Sequence, residues 1–229
     1  MPFIGVQPAT VPLTASDITD GIISTAKIAD DAVGNTKLDL TANYAFTGTI
    51  TGTNAGMDRL LTNTTTSPAS SVDISNTYLN STYDTYLIIF RMTPSSDDVH
   101  LNITFATDGS TFQTGNIYGS ARYNFDVDDG AGSFNAGGAW TVQPISIGNS
   151  TGENISGFFY LVNANSTTYS SSVQGFCNWF DTSGNHRGGA FTGAQITSAR
   201  DGVVNGLRFS FSSGNTENSE ITVYGLDKN

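Results

Sequence analysis

The sequence predicts an all-β chain: an extended amino-terminal arm and a short repeat stem, followed by an antiparallel β-sandwich head that is jelly-roll-like. Three observations predict it. From about residue 57 onward, short runs of β-branched and aromatic residues alternate with Gly/Asn/Asp turn pairs. No segment of 12 residues in that half keeps a helical period. Before residue 57 the aromatic side chains shrink to Phe3, Tyr44 and Phe46, too few to build a core.

The elements follow in chain order. Residues 1–16 hold Pro2, Pro8 and Pro12, which remove amide donors and fix φ, so they read as an extended arm. Residues 17–46 form a stem marked by an internal repeat. ITDGIISTAK (Ile18 to Lys27) aligns with IADDAVGNTK (Ile28 to Lys37), and Leu38 opens a third copy. A period of ten fits neither heptad nor hendecad, so a coiled coil is a poor match. One decade buries too little by itself, and such units become stable when neighbours or other chains cover them. The expectation is a layered threefold stem built on Ile18, Ile22, Ile23, Ile28, Val33 and Leu38, against the alternative of a polar linker. Residues 47–56 end the stem as a Gly/Thr hinge.

The head occupies residues 57–229. Its candidate strands are Tyr83 to Met92, Val99 to Ala106, Ala139 to Ile147, Ile155 to Asn163, Ser172 to Phe180, Ala190 to Thr197, Val203 to Ser212 and Glu220 to Leu226. Between them fall the turn pairs Asp108-Gly109, Asp129-Gly130, Gly184-Asn185, Asp201-Gly202 and Gly214-Asn215. Alternation in His100-Leu-Asn-Ile-Thr-Phe105 and Leu207-Arg-Phe-Ser-Phe211 marks sheets with one wet face. About eight strands at this spacing suit an antiparallel sandwich, with the strand order left open.

Composition narrows the function classes. The 229 residues carry 9 Lys plus Arg against 20 Asp plus Glu, a formal net charge of −11. The lysines are Lys27, Lys37 and Lys228. That balance argues against nucleic-acid binding and against a polybasic membrane contact, both of which need clustered cations. The longest apolar run, Leu87 to Phe90, is far below the roughly 20 residues of a membrane helix. The opening MPFIGVQPATVPLT lacks a basic and an apolar region, so no secretory signal is expected. A single cysteine, Cys177, excludes an intrachain disulfide and reads as a small buried hydrophobe.

No catalytic constellation is expected. His100 and His186 are the two histidines, and no GxSxG elbow or paired-histidine zinc spacing accompanies them. No metal site and no cofactor is expected. The acidic run Asp126, Asp128, Asp129 reads as a solvated turn, with cation binding left open, since it does not match an EF-hand loop. Asp126 and Glu153 are a conceivable carboxylate pair that nothing in the spacing selects. For carbohydrate contact the candidates are Tyr118, Tyr123 and Trp140, because aromatic faces pack on sugar C–H surfaces. Trp179, among Phe176, Cys177 and Phe180, reads as core.

The run SDITDGIISTAKIADDAVGNTKL resembles the decapeptide repeats near the amino termini of bacteriophage tail-fibre and virion-fibre proteins. The segments STYDTYLIIF, LNITFATDGSTF and SEITVYGLDKN are similar to the small β heads that follow such stems. The resemblance covers residues 17–40 specifically and 72–229 in general pattern. It implies a non-enzymatic homotrimer in the virion, attached at its amino terminus to capsid or tail proteins, with a distal head that faces the host. Phe3, Ile4 and Val6 are then the anchoring candidates, apolar groups on a polar arm. Host-surface adhesion, through glycan, is the expected role. A capsid head fibre or decoration protein is the alternative, and a polysaccharide-degrading tailspike the minor one. Fully extended, residues 17–40 span at most about 80 Å, so the stem is short.

Overall fold

The computed structural model describes residues 56–115, 117–124, 132–143, 145–195 and 202–226. The anchoring and stem candidates, from Phe3 through Leu38, and the acidic run Asp126, Asp128 and Asp129 lie outside the described residues. Those that are described belong to one compact unit, Gly52–Asn229.

Within it the chain is all-β. The strands are β1 (Met57–Thr65), β2 (Val72–Ile74), β3 (Thr85–Pro94), β4 (Leu101–Ala106), β5 (Tyr118–Asn124) and β6 (Gly132–Gly137). They continue as β7 (Trp140–Thr141), β8 (Ile155–Val162), β9 (Ser172–Phe180), β10 (His186–Gln195), β11 (Gly206–Phe211) and β12 (Thr216–Leu226). They pair antiparallel into a larger sheet, β1-β12-β3-β8-β9-β10-β5-β6, and a smaller one, β2-β11-β4-β7.

The topology is that of a hairpin folded over on itself. The first strand pairs with the last (β1/β12), then β2 with β11, β3 with β8 and β4 with β7. These eight strands form the two four-stranded halves of a jelly roll, β1-β12-β3-β8 and β2-β11-β4-β7. Two hairpins are inserted into that plan. One is β5/β6, between β4 and β7, and the other is β9/β10, between β8 and β11. They join through β10/β5 and carry the larger sheet beyond β8.

Alternation decides what faces inward. Tyr86, Ile88, Phe90 and Met92 of β3 are buried every second residue, as are Leu101, Ile103 and Phe105 of β4. Phe90 and Phe159 of the larger sheet meet Phe209 of the smaller one in a triangle of ring centroids 6.1 to 6.2 Å apart. That triangle closes the sandwich, since each ring is almost wholly removed from water.

A second aromatic group closes the extension. Phe105 of β4 and Trp140 of β7 pack against Tyr118 of β5, with centroids 5.0 to 5.7 Å apart. Tyr118 Oη donates to the Gln113 carbonyl (2.9 Å) and accepts from the Phe105 amide (3.0 Å), while Trp140 Nε1 donates to the Ala194 carbonyl (3.2 Å). Position 193 has to be glycine, because a Cβ there would run into the Trp140 ring.

Several boundaries differ from the sequence expectation. Of Ala139 to Ile147 only Trp140–Thr141 joins a sheet as a strand, with Ile147 making a single bridge to Val99. β10 begins at His186 and β12 at Thr216, four residues before the expected starts in each case. β1, β2, β5 and β6 were not expected as strands. β1 breaks its alternation at a bulge between Arg59 and Leu61, and β2 is three residues long. β5 (YGSARYN) and β6 (GSFNAG) have weak β propensity; β5 is held by pairing with β10, and β6 by pairing with β5.

Candidate functional site

The outward face of the extended sheet carries three of the exposed aromatic residues, Tyr123, Phe158 and Phe176. On β8 the buried Phe159 and Leu161 alternate with Phe158 and Tyr160, which point the other way. On β9 the buried Val173, Gly175, Cys177 and Trp179 alternate with Gln174, Phe176 and Asn178. The ladders set these side chains in rows. Ile89 (β3) lies opposite Phe158, Phe158 opposite Phe176, Phe176 opposite Ala190 and Ala190 opposite Tyr123 (β5). The neighbouring row runs Leu87, Tyr160, Gln174, Thr192, Ala121.

Ile89, Phe158, Phe176 and Tyr123 are 44%, 39%, 52% and 47% exposed. The Phe158 and Phe176 rings lie 6.0 Å apart, and Tyr160 meets Phe158 edge-on at 6.4 Å. Beside this ridge, Ala190, Thr192 and Ala121 form the floor of an open groove of 720 Å³. Gly175 lets β8 and β9 come together beneath the ridge, since a Cβ there would strike the Phe159 side chain and the Phe158 carbonyl.

The outward positions of β5, β8, β9 and β10 include no Asp, Glu, Lys or Arg. Arg122 alternates with Tyr118 and Ser120 toward the interior, where its Nη1 donates to the Gln143 carbonyl at 3.1 Å. Arg187 turns back to Asp181, whose Oδ1 accepts from the Ser183 and Asn185 amides at 2.9 Å each. These bonds hold the β9–β10 turn, in which Gly184 takes φ +76°.

Of the carbohydrate candidates, only Tyr123 lies on this face. Tyr118 and Trp140 are a correction: both are core residues, 0% and 1% exposed, and a ligand cannot reach them without parting the sheets. Trp179 is fully buried, as expected. Phe158 and Phe176 were not among the candidates. The run Phe158-Phe159-Tyr160 held the signal, because three successive aromatics on one strand put at least one on each face whatever the register.

The remaining titratable groups are dispersed. His100 precedes β4 with its backbone amide bonded to Ser212 Oγ (3.0 Å), and its Nδ1 has no hydrogen-bond partner among the described residues. Burial, reinforced by the Arg122 guanidinium, lowers its pKa, against weaker upward pulls from the Gln143 backbone and Asp98. His186 is exposed and packs against the Phe180 ring (5.5 Å). Burial pushes the Cys177 thiol up to about 12. Glu153 closes a turn by accepting from the Ser150 amide (2.7 Å). Among the described residues no three His, Cys, Asp or Glu side chains converge as a metal site would require.

No family model, no curated protein and no solved structure matches the chain.

Proposed function

We propose that this chain is a non-enzymatic fibre protein of a bacteriophage particle, with an anchoring arm (1–16), a short trimeric stem (17–46) and a jelly-roll head that serves host-surface adhesion. One conjunction carries the reading: a decapeptide repeat with too few apolar groups to stand alone precedes a jelly roll whose extended sheet displays an exposed aromatic ridge. Both halves carry apolar groups that suit assembly with other chains. Phe3, Ile4 and Val6 would dock the arm on a capsid or tail protein.

Mass spectrometry of purified particles tests the reading. The chain is expected among the virion proteins in a multiple of three copies, and its absence would overturn the proposal. Removing residues 1–10 should leave a folded head that fails to enter particles. The decoration-protein reading differs in copy number, with tens to hundreds of copies on the shell in place of a few at the tail.

A further inference from the structure

The ridge and the groove lie side by side on one face, and among the described residues the outward positions of β5, β8, β9 and β10 hold no Asp, Glu, Lys or Arg in a chain of net charge −11. We propose that a second copy of this chain packs there, with Phe158 and Phe176 of one copy seated in the groove over Ala190, Thr192 and Ala121 of the other. The inference names the partner of the head in the assembly proposed above. It rests on that reading only for the expectation that copies meet, not for the particle.

Charge argues for a second copy. Two chains of the same negative sign repel wherever acidic surfaces approach, and buried ions lose their hydration. The outward side of β5, β8, β9 and β10 is a broad surface on which neither penalty arises. A basic partner would gain nothing from it. A glycan would need a dense array of polar groups, but the outward polar groups lining the groove are few: Gln174, the Tyr123 and Tyr160 hydroxyls, and Thr192, whose Oγ1 already donates to the Val173 carbonyl at 3.0 Å.

Area agrees. Five strands from β3 to β5 at about 4.8 Å spacing, each about 30 Å long, give roughly 700 Å² in projection. A stable interface needs roughly 800 Å² per partner, measured over the rougher accessible surface. The flanks also suit an interface edge, because the Arg91–Glu220 ion pair (3.3 Å, both side chains exposed) borders the apolar rows on β3 and β12. A polar rim around a dry centre is the usual anatomy of such contacts.

The test is hydroxyl-radical footprinting of the full chain, read by mass spectrometry, with the loop residue Tyr169 (67% exposed) as internal reference. In the assembled state Phe158, Phe176 and Tyr123 should be oxidised several-fold less than Tyr169, and dilution to monomer should restore their reactivity. Phe176→Asp should weaken association by about tenfold or more in sedimentation experiments. Because the wild-type footprint needs no variant, the result stands even if Phe176→Asp fails to fold. Oligomers in which these three residues react in proportion to their exposure would overturn the interface, as would a chain that stays monomeric at roughly 100 μM. Absence from particles, with the face still protected, would count against the virion reading alone.

Discussion

Phe158 and Phe159 are chain neighbours on opposite faces of one sheet: Phe158 is 39% exposed on the outer side, and Phe159 is fully buried against Phe90, Phe191 and Phe209. The pair marks the division of labour in this head, since the inner face builds the sandwich and the outer face carries the exposed aromatic ridge. It also gives the sharpest stability contrast. Phe159→Ala should cost about 3–5 kcal/mol by emptying a packed site. Phe158→Ala should cost the monomer only about 1 kcal/mol, the loss of its ring contacts with Phe176 and Tyr160. Urea unfolding of both variants at low concentration checks the assignment, and equal losses would contradict it.

The β9–β10 turn depends on Asp181. Its Oδ2 accepts from Arg187 Nε and Nη2 at 2.8 Å each, while Oδ1 takes the two turn amides. Asp181→Ala leaves those amides and a largely buried guanidinium without their acceptor and should cost about 3 kcal/mol. Asp181→Asn keeps one acceptor oxygen for the amides and should lose less. Thermal unfolding of the two variants reads the difference, and identical effects would mean that the carboxylate plays no special part.

Cys177 should be inert in the folded protein. The thiolate is the reactive form, and a pKa near 12 leaves almost none at neutral pH, quite apart from the thiol's burial. Labelling with a maleimide at pH 7 should be slow in buffer and fast in denaturant. Rapid native labelling would place the side chain on the surface.

His100 predicts a pH dependence. Its folded pKa lies below the ordinary 6.5, so the folded state stays neutral at a pH where the unfolded chain takes up a proton. Stability should therefore fall as pH drops below about 6.5, and this contribution should level off once the folded pKa is passed. The His100→Gln variant should lose part of the slope between about pH 7 and pH 5.5. An unchanged slope would show that other groups produce it.

How much of this was legible in the sequence varies with the element. β3, β8, β9 and β11 announced themselves because apolar residues recur at alternate positions, as in Leu207-Arg-Phe-Ser-Phe211. The inserted hairpins were harder to find. The middle of β5 (Gly119-Ser-Ala121) and much of β10 are built from Gly, Ala, Ser and Thr, whose extended state is fixed by neighbouring strands and not by local preference. The same gap misplaced Tyr118 and Trp140. Without β5 as a strand, Tyr118 looked like a loop aromatic, although the register with Gln195 and the packing on Trp140 make it core. The outer aromatic face depends on long-range pairing of β3, β8, β9, β10 and β5, which no local pattern encodes.

Electron cryomicroscopy of intact particles tests the central claim most directly. The account predicts threefold projections in which a short stem carries jelly-roll heads that meet across the β8-β9-β10-β5 face. Heads that stand apart with Phe158 and Phe176 facing solvent would contradict the assembly, and particles without such projections would contradict the fibre itself.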